Sequence, residues 1–189
     1  GGNTANRTNA DQKNQDAIDQ TRLKGDEQKL EDRRRKLSEQ PNLKEGEEAA
    51  KLAKAEPDNY DAQMNAADYC YQTSKFDSAI KALNQALKLN PEAIEAIYML
   101  GITYFEAKKY EDAGIWFEKV LEKTPDDINV RTDFGLTYAL RRKPNYDRAI
   151  REFNRSLEID PEHPQTLQNL TVAYVSNLEA ANARTTLAK

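Results

Sequence analysis

IEAIYMLGITYFEAKKYEDAGIWFEKVLEKTP, residues 94–125, contains two runs of apolar residues at helical spacing, separated by the short run Ala107-Lys108-Lys109. Glu111 and Asp112 follow that break, where negative charge favours a helix start, and Pro125 ends the second run. The pattern predicts two short amphipathic helices joined by a tight turn. Such a pair cannot bury its apolar faces alone, so further copies are expected. The apolar positions are Ile97, Leu100, Gly101 and Tyr104 in the first helix and Ala113, Trp116, Phe117, Val120 and Leu121 in the second.

The same pattern recurs along the chain at a nearly constant spacing. Pro57, Pro91 and Pro125 are 34 residues apart, and Pro161 follows after 36. The two extra residues fit best in the turn RRKPNY, residues 141–146, because turns tolerate insertions that packed helices do not. The predicted organisation is a polar and charged N-terminal segment over 1–40, a half-repeat helix over 41–59, complete helix pairs over 60–93, 94–127 and 128–163, and a partial fourth unit or capping helices over 164–189.

These residues resemble the tetratricopeptide repeat, a helix-turn-helix module with a 34-residue period. The resemblance is strongest at Leu100, Gly101, Tyr104, Ala113, Phe117 and Pro125. It implies an all-α fold, a right-handed superhelical array of antiparallel helix pairs, here with an extra N-terminal helical segment. The chain departs from the family pattern at Cys70, which takes a tyrosine position, and in its truncated last unit, where Ala183 and Leu187 stand at second-helix offsets.

Two kinds of position have a clear packing role in such an array. Small residues let the two helices of a unit approach closely, and large residues fill the space between units. The small set is Ala67, Gly101, Gly135 and Thr171, with Ala79, Ala113, Ala149 and Ala183, and the large set is Leu83, Phe117, Phe153 and Leu187.

The N-terminal segment permits several interpretations. Its Asn-rich start has almost no apolar residues and is predicted to be disordered, whereas the part from about Asp16 to Ser38 favours a helix. Leu23, Leu30 and Leu37 recur every seven residues, but their companion positions are polar, which is half a coiled-coil seam. A solvated helix with charge pairs is the favoured interpretation. A coiled coil and a helix lying in the protein's own groove remain alternatives.

Composition and motifs exclude several classes of function. The net charge of -4 is not typical of a nucleic-acid-binding protein, and no apolar run is long enough to span a bilayer. Cys70 is the only cysteine and is expected in the core, and His163 is expected to be an exposed turn residue. Acid pairs such as Asp126-Asp127 are interpreted as solvated helix starts. No phosphate loop or metal-ligand spacing is present, so neither enzyme activity nor a cofactor is expected.

The resemblance implies a ligand-binding groove formed by the first helices. Its mixture of apolar residues with an acidic rim suits another protein, bound as a peptide or helix with apolar anchors and a basic flank. Two acids and two methionines argue against a clamp for a carboxylate, since the positions that would form it are Met64, Asp68, Met99, Asn129 and Asp133. The predicted site residues are Asp61, Met64, Asp68, Tyr71, Glu95, Tyr98, Ile102, Phe105, Glu106, Leu136 and Leu140.

Self-association is the alternative function. The N-terminal helix, or the apolar C-terminal end around Tyr174, Leu178 and Leu187, could dock on a second copy, since repeat arrays normally need polar caps. The compartment is unknown. The first residue is not methionine, and the start is linker-like, which suggests that a signal or membrane anchor precedes this soluble region.

Overall fold

The computed structural model describes residues 3–39 and 42–187, with side chains described over 12–39 and 42–181. Within those ranges the chain forms nine helices and no strand. The fold is an all-α solenoid in which each helix from the second onward packs on the next one. The helices are α1 (Asn3–Ser38), α2 (Leu43–Ala55), α3 (Tyr60–Gln72), α4 (Phe76–Leu89), α5 (Ile94–Glu106), α6 (Tyr110–Lys123), α7 (Ile128–Leu140), α8 (Tyr146–Ile159) and α9 (Pro164–Leu187).

The connections within the helix pairs follow one plan with a single variation. Residues 73–75 join α3 to α4 and residues 107–109 join α5 to α6, and in these turns Ser74 and Lys108 have positive φ angles of 56° and 58°. Residues 141–145 form a longer connection between α7 and α8, which accommodates the two additional residues of this unit. Asn59 and Asp127 cap α3 and α7 by accepting backbone N–H bonds, which satisfies donors that a helix start leaves free.

Close approach of paired helices explains two of the small residues predicted from the sequence. A Cβ atom on Gly101 would lie 2.7 Å from the ring of Phe117, and one on Gly135 would lie 2.6 Å from the ring of Phe153. Both phenylalanines are fully buried. The glycine backbone of each first helix therefore forms the surface on which the large residue of its partner helix packs.

Residues 164–189 were predicted to form a partial fourth repeat or capping helices, and the described part, up to Leu187, lacks the second helix of a partial repeat. The sequence suggested a second helix that would contain Ala183 and Leu187, but α9 continues without a break to Leu187. Residues 178–181, Leu-Glu-Ala-Ala, span the position of the expected turn, and all are strong helix formers that favour continuation. The solenoid thus ends on a single long helix.

α1 also differs from the prediction. A disordered start and a solvated helix were expected, whereas the structure has a helix from Asn3 that contacts α5 near its other end. Residues 12–22 have exposed side chains, and burial begins at Leu23. The packed later turns of α1 act as the helix nucleus. Each further residue toward the N-terminus then extends the helix at a low cost in free energy, because nucleation is the unfavourable step.

Candidate functional site

The first helices of the pairs, α3, α5 and α7, form the surface that the family resemblance assigns to ligands, called the groove below. α1 lies along it. Leu30 is fully buried in a core cluster that also contains Met64, Tyr98 and Ile102, and Leu37 packs against the same cluster. Three predicted site residues are therefore covered by a helix of the same chain.

α1 runs beside α5 in the same direction. Lys29 and Arg33 share a surface depression with Glu95, near the start of α5. Leu37 and Ser38 line a cavity with Phe105, near the end of α5. The buried part of α1 therefore extends along the whole length of α5, while residues 12–22 have no groove residue to cover them.

The first polar anchor of α1 is Asp68 on α3. Arg33 Nη1 lies 2.7 Å from Asp68 Oδ1 and 2.8 Å from Oδ2, and Lys36 Nζ lies 2.6 Å from Oδ2. Asp68 is buried, and Lys36 also donates to the Asn65 side chain at 3.0 Å. A buried carboxylate is costly unless it is paired, so Asp68 gains its partners from α1.

The second polar anchor is Asp127, at the start of α7. Arg34 Nη2 lies 2.8 Å and 2.7 Å from its two carboxylate oxygens, and the same carboxylate caps α7 by accepting the Val130 N–H at 3.0 Å. The guanidinium carbon of Arg34 is 5.2 Å from the ring centroid of Tyr98. Burial alone would lower the pKa of Arg34, but Asp127 and Tyr98 together more than offset burial and raise it.

The buried stripe of α1 accounts for its incomplete heptad pattern. The less exposed positions are Leu23, Asp26, Leu30, Arg33, Arg34 and Leu37, and they follow the three- and four-residue spacing of one helix face. Leucines in this stripe pack on apolar groove residues. Arginines in it meet acids, so polar companions of the leucines do not mean that this face is solvated.

A cavity of about 330 Å³ remains between the last turn of the docked α1 and the groove. Its wall contains the carboxyl groups of Glu106 and Asp133. Burial raises the pKa of Asp133 to about 7, with Asp127 and Glu106 acting in the same direction and Arg34 opposing them. Burial also raises the pKa of Tyr71 to about 12. The lining residues are Arg34, Leu37, Ser38, Tyr71, Tyr98, Ile102, Phe105, Glu106, Phe117 and Asp133.

The other predicted site residues are distributed around this arrangement. Asp61 is exposed, and Glu95 accepts the hydroxyl hydrogen of Tyr60 at 3.1 Å. Leu136 packs against the cluster around Phe153, and Leu140 is exposed. The groove is thus covered at α3 and α5, and it is more open at the end of α7.

Asp127 was missed as a site residue because its position indicated only a solvated helix start. It does cap α7, but its side chain is only 7% exposed and pairs with α1, so the solvated interpretation is wrong. Asp133 was noted only as an argument against a carboxylate clamp. Its place in the cavity depends on α1, which no local pattern around Asp133 reveals.

The two residues considered for catalysis have structural surroundings. His163, expected to be exposed, is half-buried, with Nδ1 2.7 Å from the Thr166 hydroxyl at the start of α9. Cys70 is a buried free thiol, and burial raises its pKa. Among the described residues, no group of three or more His, Cys, Asp or Glu side chains could hold a metal ion. In the same part of the chain, no helix is both long and apolar enough to cross a bilayer.

Comparison with known proteins identifies the class to which this solenoid belongs. Residues 71–128 match the family model described as tetratricopeptide repeat. Together with the 34-residue spacing and the paired helices, this match shows that the chain contains tetratricopeptide repeats and folds as a solenoid of that type. Solenoids of this family generally act as protein–protein interaction scaffolds.

The matches to curated relatives cover only part of the length of those proteins. The chain is 26% identical over 117 residues to the DnaJ homolog subfamily C member 7 homolog of Schizosaccharomyces pombe, covering 57% of this chain and 24% of that protein. It is 28% identical over 101 residues to BBSome complex member BBS4 of Bos taurus, covering 53% and 19%. The chain therefore spans less than a quarter of either relative.

Solved structures show the same fold at low sequence identity. The MamA fragment from residue 41 to its end, from Desulfovibrio magneticus RS-1, has a TM-score of 0.63 at 22% identity, covering 74% of this chain and 80% of that one. The first repeat domain of Spaghetti (RPAP3), bound to the HSP90 peptide SRMEEVD, has a TM-score of 0.56 at 15% identity, covering 63% and 93%.

Proposed function

We propose that the protein is a non-enzymatic interaction scaffold whose groove binds a helical segment of a partner protein, and that α1 occupies this groove until the partner displaces it. The observation that carries this proposal is the docking of α1 itself. A helix of this chain buries Leu30 against the groove and places Arg33 and Arg34 on the groove acids Asp68 and Asp127.

The docked helix supplies the chemistry that a partner must reproduce. Leu30 and Leu37 stand seven residues apart on one face, and two of the three arginines between them, Arg33 and Arg34, meet groove acids. An amphipathic helix with this pattern uses its leucines for affinity and its paired cations for register and specificity. The partner segment is therefore a basic amphipathic helix, not an extended acidic peptide.

The charge of the groove supports a basic partner over an acidic one. The peptide bound to the Spaghetti (RPAP3) repeat domain, SRMEEVD, has three acidic residues in its last four. This groove instead presents Asp68, Asp127 and Asp133. An acidic peptide would meet like charges here, which costs affinity and excludes wrong partners.

An exchange experiment on the folded chain tests this function. A recognition site for a sequence-specific protease is inserted between Glu39 and Leu43, the purified protein is cleaved, and a fluorescent peptide of residues 12–39 is added. Exchange of the cleaved α1 for the labelled peptide should raise the fluorescence anisotropy, and unlabelled peptide should reverse the rise. Absence of exchange at every peptide concentration, with the cleaved α1 still bound, would contradict a displaceable helix.

Matched peptides determine whether the groove recognises the arginine pair. Arg34→Glu removes the contact with Asp127 and should weaken binding about thirtyfold or more, the range measured when one partner of a desolvated charge pair is lost. Arg35→Glu makes the same charge change at a side chain that is 73% exposed and that, among the described residues, pairs with Asp32 of its own helix. It should leave the affinity nearly unchanged. Equal losses of affinity for the two peptides would show that the groove attracts positive charge without recognising Arg34.

Self-association is a second candidate, favoured by the open face of α9. Val172 and Leu178 are 61% and 64% exposed, and Tyr174 and Val175 are more than half exposed. Sedimentation velocity over a wide concentration range should then show a dimer that Leu178→Lys converts to monomer. A monomer for the unaltered chain at all concentrations would exclude this candidate.

A further inference from the structure

We propose that the cavity between the last turn of α1 and the groove is a binding site for an alkyl ammonium or guanidinium group, held by aromatic rings and by the carboxyls of Glu106 and Asp133. This inference goes beyond the proposed function, because the site is complete only while α1 is docked. It does not require that a partner helix ever displaces α1.

The shape and lining of the cavity fit an organic cation. Its volume of about 330 Å³ is within the range of small-ligand sites, and the rings of Tyr71, Tyr98, Phe105 and Phe117 form part of its wall. The faces of such rings attract ammonium and guanidinium groups. Tyr98 already faces the guanidinium of Arg34 and Phe117 is fully buried, so Tyr71 and Phe105 are the rings left for an incoming cation. Apolar walls from Ile102 and Leu37 suit the alkyl part of the ligand.

Asp133 contributes a carboxyl group to the cavity wall. Among the residues whose side chains are described, none forms a hydrogen bond or ion pair with its carboxyl group. Arg34 is the nearest cation that acts on it, but Arg34 Nη2 is bound to Asp127 and Nη1 lies 2.5 Å from Glu31. A half-buried carboxyl without a directly paired cation is the feature that an incoming guanidinium or ammonium would satisfy.

The surroundings of Asp133 predict that binding depends on pH. Arg34 faces it from α1, Glu106 and Tyr98 from α5, Tyr71 from α3, and Asp127 from the start of α7. Burial, Asp127 and Glu106 raise the pKa of Asp133 to about 7, so much of it is protonated at neutral pH. A bound cation favours the ionised carboxylate and lowers this pKa. Affinity should therefore rise as the pH rises through about 7 and level off above it.

The test uses the full-length chain, with n-butylguanidinium as the probe and n-butanol and butyrate as neutral and anionic controls of equal chain length. Binding is followed by NMR through the backbone amides of the lining residues and the carboxyl carbon of Asp133. Butylguanidinium should shift these signals and lower the pKa of Asp133. Equal shifts with n-butanol would show apolar partitioning only and would overturn the proposal.

Matched variants identify the carboxyl groups that bind butylguanidinium. Asp133→Asn and Glu106→Gln should each weaken butylguanidinium binding about tenfold, as expected for loss of one charge-assisted contact. Glu118→Gln, at an exposed position of α6 outside the cavity, should leave it unchanged. Unaltered binding in Asp133→Asn would overturn the proposal, and the asparagine spectrum confirms that the variant is folded.

Two sources could supply such a cation, and a second probe distinguishes them. The peptide acetyl-Ala-Arg-Ala-amide carries the same group as an arginine side chain, and acetyl-Ala-Ala-Ala-amide is its control. Binding of the arginine peptide about tenfold tighter than butylguanidinium would assign the site to a protein side chain. Equal or weaker binding of the arginine peptide would assign it to small free cations. Absence of binding by both cationic probes would refute the site, whatever the result of the α1 exchange experiment.

Discussion

Arg34 on α1 donates to both carboxylate oxygens of Asp127, a residue 93 positions further along the chain that also caps α7. The pair joins the N-terminal helix to the third repeat and places a guanidinium against Tyr98 at the centre of the groove. One carboxylate therefore contributes both to the docking of α1 and to the start of α7.

Two substitutions of Asp127 separate its functions. Asparagine is an equally good helix cap but carries no charge, so Asp127→Asn should weaken the docking of α1, which Asp68 and Leu30 still hold, and leave α7 intact. Asp127→Ala should also remove the cap, at an additional cost of about 1 kcal/mol in the free energy of unfolding. Urea unfolding measures the cap, and hydrogen exchange of the α1 amides measures the docking. Unchanged exchange of α1 in both variants would show that the ion pair does not hold the helix.

A pair of glycine substitutions tests the packing of the solenoid. Gly101→Ala places a methyl group 2.7 Å from the ring of Phe117 and should lower the free energy of unfolding by about 1–3 kcal/mol. Gly25→Ala is the control, because a Cβ there meets nothing within 4 Å. Gly25→Ala should raise the free energy of unfolding by up to about 1 kcal/mol through the helix propensity of alanine alone. Destabilisation of similar size in both variants would contradict the close approach of α5 and α6.

Asp133 predicts a dependence of stability on pH. Its pKa rises from an ordinary value of 3.8 to about 7 in the folded protein, so the folded state holds a proton that the unfolded state has lost between these values. Stability due to this group should therefore fall as pH rises from about 4 to about 7 and then remain constant.

Asp133→Asn removes this dependence of stability on pH, because the asparagine side chain has no ionised form whose burial would cost free energy. The variant should be more stable than the unaltered protein at pH 8, by about 1–2 kcal/mol after allowance for partial exposure of the group, and the advantage should shrink toward pH 4. Urea unfolding of both proteins over this pH range measures the difference. A constant difference at all pH values would show that Asp133 ionises normally.

The repeat fold could be predicted because its determinants are local and recur. Gly101 and Phe117 stand within one unit, and Gly135 and Phe153 repeat their relationship in the next. The groove positions Met64, Asp68 and Tyr98 followed from the family resemblance, but what covers them did not. Ion pairs such as that of Arg33 with Asp68 join residues that each look solvated in their own helix.

Two further features could not be predicted from the sequence, for related reasons. The interpretation of α1 as a helix lying in the groove was one of several that its leucine spacing permitted, and the polar companions of those leucines favoured a solvated helix. The single long α9 could not be distinguished from a helix pair, because Ala183 and Leu187 stand at the offsets that a second helix would use. In both cases the outcome depends on tertiary contacts and not on local pattern.

The second half of α1 is docked in the groove. Hydrogen exchange of the α1 amides in the full-length chain tests it most directly, because residues 12–22 of the same helix, which are exposed, serve as the internal control. Amides of residues 26–37 should exchange at least about a hundredfold more slowly than those of 12–22, and Arg34→Glu should remove most of that protection while Arg35→Glu does not. Equal and rapid exchange along the whole of α1 would contradict the account.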